Sequence, residues 1–241
     1  MTCSTDFSHH IKSMIKFFPI LLAIVYGIFM YRLSTRRLTR ELDEKSTELA
    51  DPKLRALTAQ MAHVVDIPRI KVFIYEIEPV NGLASPDGRI FITRGFYNKY
   101  KESVVTAEEM ASVIAHELGH VALGHSRRRM IDFSGQNALR TALAMVLSRF
   151  LPGIGPVIAN GAMSMLMARL SRSDEYEADA YASALLLKAG IGIDAQKSLF
   201  TKLEKLTGAR GSAQPAWLLS HPKTPQRISA IEANERSEER R

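Results

Sequence analysis

The spacing of apolar residues predicts a mixture of helices and strands along the middle of the chain. From Pro52 to about Val65, apolar side chains recur every three or four positions, which is typical of a helix with one buried face; they are Leu54, Leu57, Met61 and Val64. The next stretch, IPRIKVFIYEI, predicts a strand that begins after the break at Pro68. In VNGLASPDGRIFITRGF, the Pro-Asp-Gly triplet supplies a turn and RIFIT the returning strand, so we expect a hairpin.

Two further helices are predicted from their capping signals. TAEEMASVIAHELGHVALGH begins with Thr106 and Glu109 at the spacing of a capping box, and we expect it to be helical throughout. SDEYEADAYASALLLKAG predicts a helix with Ser173 as its N-cap and Gly190 just beyond its end. The C-terminal NERSEERR is expected to be solvated and disordered because it is almost entirely polar and charged.

An uncharged apolar run near the N-terminus predicts a membrane anchor. FFPILLAIVYGIFMY carries no charge, and its extension from Met14 to Tyr31 is long enough for a short span. A cleaved signal peptide and a buried helix are the alternatives, but the run does not end in the small residues of a cleavage site. Two lysines precede the run and four arginines follow it, which favours a single pass through the cell membrane with the rest of the chain in the cytoplasm.

A second apolar block covers residues 142–166. Arg149, two prolines and three glycines interrupt it. These helix breakers favour a packed or membrane-grazing helical hairpin, and a second true span is the alternative.

The composition excludes several classes of function. The chain has 241 residues, enough for one domain with an appendage. Its single cysteine, Cys3, rules out an intrachain disulfide and a zinc site built from cysteines. The formal charge of +7 is concentrated just after the apolar run and in the RRR at 127–129. No aromatic residues are interleaved with these basic residues, so we expect no nucleic-acid partner.

The stretch SVIAHELGHVALGH carries candidate chemistry. His116 and His120 are four residues apart on one helix face, so both rings can point at one metal ion. Two neutral imidazoles at this spacing suit zinc. Glu117 lies to the side of the metal, where a general base for an attacking water belongs. The alternative is a helix whose histidines only satisfy buried polar groups.

A catalytic zinc site requires a third protein ligand. His125 lies five residues after His120 and faces away from it on a continuous helix, so we expect it to be structural or at the surface. Glu175 and Asp179 share a face of the later helix, where one carboxylate could bind zinc and the other orient a histidine. Glu177 falls on a different face. A solvated acidic patch at a helix N-terminus explains the same residues equally well.

Three motifs, in order, resemble those of the M48 peptidases, the HtpX-like and Ste24-like zinc metalloproteases of membranes. They are HELGH, SRSDEYEADAYA about fifty residues later, and SHPKTPQRISAIE. VNGLASPDGRIFITRG is also similar to the substrate-edge hairpin of these enzymes, although NGLA departs from their usual Asn-Ala-Phe-Ala. The resemblance extends from about Pro52 to Ile231.

The resemblance implies a role for each motif residue. One zinc ion per chain would be bound by His116, His120 and Glu175, with Glu117 as the base and Asp179 orienting a ligand histidine. His221 would stabilise the oxyanion or cap zinc in a latent state. Arg227 would hold the carboxylates together, and a surface salt bridge is the alternative. An unfolded polypeptide would add to the hairpin as a further strand, at Asn81, Arg89, Ile90, Phe91, Ile92 and Thr93.

We therefore expect an α+β fold, a predominantly helical zincin-type metalloprotease domain with a small β-sheet, preceded by an N-terminal transmembrane helix. The expected order is an N-terminal tail (1–13), the anchor (14–31), a charged juxtamembrane connector (32–50), the peptidase domain (51–233) and a disordered tail (234–241). The expected function is cleavage of unfolded or membrane-associated polypeptides in protein quality control. The alternative is a membrane-anchored holdase with a structural metal, which would have no use for Glu117.

Overall fold

The computed structural model describes residues 25–125, 144, 147–151, 153–208 and 225–238. The predicted loop with His221, the basic triplet at 127–129 and most of the predicted anchor lie outside these residues. The chain divides into two compact units, Met1–Leu38 with Arg128–Leu166 and Thr39–Arg127 with Met167–Arg241. The second unit begins before the domain boundary expected at 51, and it does not include 128–166.

A four-stranded mixed sheet lies in the second unit. Its strands are β1 (Ser46–Glu48), β2 (Val72–Tyr75), β3 (Gly82–Ala84) and β4 (Ile90–Thr93), in the order β1-β2-β4-β3. The β3–β4 pair is the predicted hairpin and is antiparallel, with Leu83 opposite Phe91, whereas β2 and β4 are parallel. The predicted fold class of helices with a small sheet is confirmed for this unit.

The position of β4 corrects the predicted edge strand. All four residues of β4 are buried and the strand is paired on both sides, so the segment from Arg89 to Thr93 cannot accept another strand. The outer strand of the hairpin is β3. A continuous apolar run such as IFI is typical of a central strand, because both faces of the sheet are covered there.

The segment expected to be a connector is more regular than predicted. Residues 25–44 are helical, and β1 follows directly at Ser46–Glu48, paired antiparallel with β2. Among the described residues, no helix combines the length and the apolar character needed to cross a membrane.

The first two labelled helices of the second unit begin directly after capping residues. Helix α1 (Pro52–Val64) starts after Asp51, whose carboxylate accepts hydrogen bonds from the backbone N–H groups of Lys53 and Leu54. Its predicted apolar face is confirmed, since Leu54 and Met61 are fully buried and Leu57 and Val64 pack against the same core. Helix α2 (Arg94–Lys101) follows β4 without a loop.

Helix α3 (Ala107–Ala122) carries HELGH and is almost entirely buried. The predicted capping box is present: the Thr106 hydroxyl accepts from the Glu109 N–H, and the Glu109 carboxylate accepts from the Thr106 N–H. Glu109 also accepts from Ser198 and Lys202, which tie the start of α3 to a later helix. Although burial alone raises the pKa of Glu109, these hydrogen bonds lower it below its ordinary value. The start of α3 is therefore held both by its own capping box and by hydrogen bonds from a later helix.

Three helices lie in the described chain from Gly155 onward: α4 (Gly155–Lys188), α5 (Asp194–Gly208) and α6 (Pro225–Glu238). Ser173 is not an N-cap, because α4 begins eighteen residues earlier and runs through it. Gly190 lies just past the end of α4 in a left-handed conformation, as predicted. Helix α6 continues to Glu238, so residues 234–238 are helical rather than disordered.

Candidate active site

The two histidines of HELGH meet on one face of α3. Their Nε2 atoms are 3.1 Å apart, and both side chains are buried. Two imidazole lone pairs facing each other at this distance repel unless a proton or a cation lies between them. The predicted i, i+4 geometry is therefore confirmed, and it is a geometry suited to binding a shared cation.

Glu175 approaches this pair from α4. Its Oε2 lies 3.4 Å from Nε2 of His116, and its Oε1 lies 3.5 Å from Nε2 of His120. A glycine at 119 favours this approach, since a Cβ there would lie 3.1 Å from both Cα and O of Ala178 on α4, closer than most such contacts. The missing side chain in HELGH thus lets the second helix come close enough to deliver its carboxylate.

The three donors fit a zinc ion. One ligand atom from each of His116, His120 and Glu175 lies within 4.8 Å of the others. Ligands at the distances that zinc prefers, in tetrahedral geometry, lie roughly 3.3 Å apart. The two Nε2 atoms are 3.1 Å apart, and each lies 3.4 or 3.5 Å from a different oxygen of Glu175, which is close to this value. Two imidazoles with one carboxylate are also a donor set of catalytic zinc sites.

Asp179 and Arg227 lie behind the donors. Oδ1 of Asp179 is 2.9 Å from Nδ1 of His116, on the side of the ring opposite the metal-facing nitrogen. Arg227 donates from Nε and Nη2 to the two oxygens of Asp179, at 2.6 and 2.8 Å, and its Nη1 lies 3.3 Å from Oε2 of Glu175. Arg227 is only 1% exposed, so it is not the surface salt bridge that the sequence left open.

The site shifts the pKa values of both histidines in opposite directions. Burial lowers the pKa of His120 to about 4, so this ring is neutral and able to bind a metal. For His116, burial is outweighed by Asp179 and Glu175, which raise its pKa to about 9. Burial also raises the pKa of Asp179, but Arg227 and His116 lower it below its ordinary value. Asp179 therefore stays ionised beside His116.

Glu117 is the remaining ionisable residue of HELGH. It is buried on α3 directly after His116. Its charge reaches His120, where it acts against the larger effect of burial on the histidine pKa. Its carboxylate is therefore electrostatically part of the site.

His125 is not where the sequence placed it. Helix α3 ends at Ala122, and Gly124 adopts a left-handed conformation with φ of 73°. This turn folds the chain back, so His125 is fully buried and its Nδ1 lies 3.0 Å from Nδ1 of His120. The prediction that His125 faces away was wrong because it assumed a helix continuing through residue 125. The glycine was the signal that could have revealed the turn, since glycine favours the position after a helix end.

The other predicted site residues have partners in and around the sheet, or lie outside the described chain. Arg89 pairs with Asp43 and Asp87 and stacks on two phenylalanine rings, a structural role. Asn81 and Thr93 bind each other at the base of the hairpin. His221 is outside the described residues.

The comparison with known families agrees with this geometry. The sequence model of Peptidase family M48 matches residues 48–235, most of the chain. The chain belongs to this family. M48 peptidases are zinc-dependent, so the protein is a metalloendopeptidase, and its His-His-Glu group could hold the metal ion.

Three relatives place the chain within the M48 family. Metalloprotease LoiP of Escherichia coli is 28% identical over 198 residues, covering 80% of this chain and 75% of LoiP. Metalloprotease YcaL of the same organism is 33% identical over 164 residues, covering 66% of this chain and 59% of YcaL. The mitochondrial metalloendopeptidase OMA1 of Homo sapiens is 27% identical over 177 residues, covering 70% of this chain but 31% of OMA1. The chain thus spans less than two thirds of the last two relatives.

Proposed function

We propose that this M48 peptidase cleaves internal peptide bonds of unfolded or membrane-associated polypeptides, in a quality-control role, with one zinc ion held by His116, His120 and Glu175. The observation that supports it is the convergence of three buried side chains of a zinc-binding type, with contacts of 3.1 to 3.5 Å between the two Nε2 atoms and the Glu175 carboxylate. Three protein donors, with a fourth position occupied by water or substrate, are the arrangement of a catalytic zinc site. A closed structural site has no such position.

The residues around the donors then have separate tasks. Bound zinc supplies a Lewis acid that polarises the scissile carbonyl and acidifies a water molecule. The carboxylate of Glu117 takes the proton of the attacking water and passes it to the leaving amide nitrogen. Asp179 keeps Nδ1 of His116 protonated, so that Nε2 carries the lone pair, and Arg227 holds both Asp179 and Glu175 in place.

The substrate binds along β3 rather than β4 in this proposal. Two backbone hydrogen bonds flank β3: the Ser85 N–H donates to the Arg89 carbonyl, and the Thr93 N–H donates to the Asn81 carbonyl. The backbone N–H and C=O groups of odd-numbered residues in this segment therefore face β4. The N–H and C=O groups of Gly82 and Ala84 therefore point to the outer side, because these directions alternate along an antiparallel pair. Since β3 packs against α3, a peptide paired with this outer side would run beside the HELGH helix.

We expect Ala84→Pro to reduce kcat/KM on an unfolded protein substrate by about 2- to 10-fold, the value of one backbone hydrogen bond. Proline removes the outward N–H of Ala84, and proline is tolerated on the outer side of an edge strand. The matched control is Ala84→Ser, which keeps this N–H and should remain close to wild type. Equal rates for the two variants, at equal zinc content and equal melting temperature, would show that substrate does not pair with β3.

We propose that His221, which lies outside the described residues, donates a hydrogen bond to the oxyanion. Its place in SHPKTP, between Ser220 and two prolines, favours a rigid loop. His221→Ala should lower kcat about 10²- to 10³-fold at unchanged zinc content, as for other oxyanion donors. A rate that stays level or rises would instead assign His221 as an inhibitory fourth ligand.

We also propose that residues 14–31 anchor the chain in the cell membrane with the catalytic unit on the cytoplasmic side. The support is the uncharged run and the excess of arginines after it. The full-length protein should stay with membranes through an alkaline wash, and protease added outside the cell should spare the catalytic unit. Recovery of a soluble form shortened at its N-terminus would contradict the anchor.

A further inference from the structure

We infer that His125 is a positioning residue for the metal site: with Glu177 it forms a relay that fixes the proton of His120 on Nδ1 and leaves Nε2 free to bind the metal. This inference rests on the proposed function, in which His120 is a ligand. It assigns a role to two residues that the sequence placed away from the site.

The relay consists of two successive side-chain contacts. Nδ1 of His120 lies 3.0 Å from Nδ1 of His125, and Nε2 of His125 lies 3.3 Å from Oε2 of Glu177. A second carboxylate, Oδ1 of Asp174, lies 3.7 Å from the same Nε2. His125 is fully buried, while Glu177 is half exposed and also accepts a hydrogen bond from Ser173. The relay therefore leads from the buried donor pair to the surface of α4.

The carboxylate of Glu177, at the end of the relay, sets the direction of both hydrogen bonds. A carboxylate oxygen only accepts, so the proton of a neutral His125 must be on Nε2. Nδ1 of His125 then carries a lone pair and can only accept from His120. His120 consequently carries its proton on Nδ1, and its Nε2, which faces His116 and Glu175, carries the lone pair. The opposite tautomer of His120 would place two lone pairs against each other at 3.0 Å.

The same logic applies to the other histidine by a shorter route. Nδ1 of His116 faces Asp179 directly, at 2.9 Å, and this carboxylate is held by Arg227. Each ligand histidine thus has a carboxylate behind it. Asp179 contacts His116 directly, whereas Glu177 reaches His120 through the imidazole of His125. Partners of this kind orient the ring and raise the basicity of the ligand nitrogen, and their loss typically weakens metal binding about 10- to 100-fold.

The test compares zinc affinities of purified full-length variants by competition with a chelator. His125→Phe keeps the ring shape but has no acceptor, and it should bind zinc about 10- to 100-fold more weakly than wild type. His125→Asn places a side-chain oxygen where Nδ1 was and should restore most of the affinity. His125→Gln places its polar group where Nε2 was and should not. His63→Phe, which removes an exposed histidine at the end of α1, is the control for loss of a histidine.

A second readout detects the proton itself. In cobalt-substituted protein, each ligand histidine bound through Nε2 gives an exchangeable Nδ1–H signal shifted out of the normal proton NMR range. Wild type and His125→Asn should show two such signals, whereas one should be lost or broadened by exchange in His125→Phe. A purely structural histidine would not produce this pattern.

The outcomes separate the inference from the function on which it rests. If wild type binds no zinc, the proposed function fails. If wild type binds zinc and the Phe, Asn and Gln variants all match it, or all weaken equally, the relay is wrong while the zinc site stands. Should His125→Phe fail to fold, the contrast between Asn and Gln decides alone: equal affinities for the two overturn the inference.

Discussion

Replacing Glu117 by glutamine should reduce the turnover of an unfolded substrate by about 10²- to 10⁴-fold, which is the usual contribution of a general base. Glutamine has nearly the same shape as glutamate but cannot take a proton from the attacking water. The three donors should remain in place, because Asp179 contacts His116, Arg227 contacts Glu175, and α3 packs closely against α4 at Gly119. Zinc content and melting temperature should therefore stay at their wild-type values.

The matched control for this variant lies on the same helix. Glu108 is in the first turn of α3, far along the helix from the donors, where it pairs with Lys53 on the partly exposed surface. Glu108→Gln makes the same chemical change and should leave proteolysis unchanged. Normal digestion of casein by Glu117→Gln, at full zinc occupancy, would remove Glu117 as the base and require a proton acceptor elsewhere in the site.

Helix α3 could be predicted well because its signals are local. The capping box fixes its start, and the four-residue spacing of His116 and His120 places both rings on one face regardless of the rest of the fold. The hairpin was predictable for the same reason, since its turn residues lie between two short apolar runs. Features of this kind depend on a few neighbouring residues only.

The order of the strands depends on the whole chain and was not predictable in the same way. The parallel pairing of β2 with β4 places β4 in the centre of the sheet, although it is the second strand of a local hairpin. Strand β1 consists of the polar residues Ser46, Thr47 and Glu48 and carries no apolar alternation, so it was missed. The substrate edge therefore had to move from β4 to β3 once the pairing was known.

The supporting residues of the site were the hardest to predict. Arg227 is about fifty residues from Asp179 in sequence, and its burial follows from the two carboxylates that face it. A buried arginine with such partners differs greatly from a surface pair, since removing both carboxylates would leave an uncompensated buried charge. The position of His125 depended on a single backbone conformation at Gly124. Neither the burial of Arg227 nor the turn at Gly124 can be predicted from the spacing of residues along a continuous helix.

Glu175→Gln is expected to remove most zinc from the purified protein, with an affinity at least about 10²-fold below wild type. Zinc in small protein sites is bound with on the order of 10–16 kcal/mol, so one of four ligands accounts for roughly 3 kcal/mol. A neutral amide is a much poorer zinc ligand than a carboxylate. Proteolysis should fall with the zinc content.

The fold should survive this substitution, which is why glutamine is preferred to alanine here. Arg227 remains paired with both oxygens of Asp179, so no buried charge is left without compensation. Asp194→Asn, which neutralises an exposed carboxylate at the start of α5, is the matched control and should bind one zinc per chain. Metal analysis after dialysis decides the assignment. Full zinc occupancy in Glu175→Gln, beside a zinc-depleted His120→Ala, would exclude Glu175 as the third ligand and turn attention to Asp179, whose Oδ1 lies 2.9 Å from Nδ1 of His116.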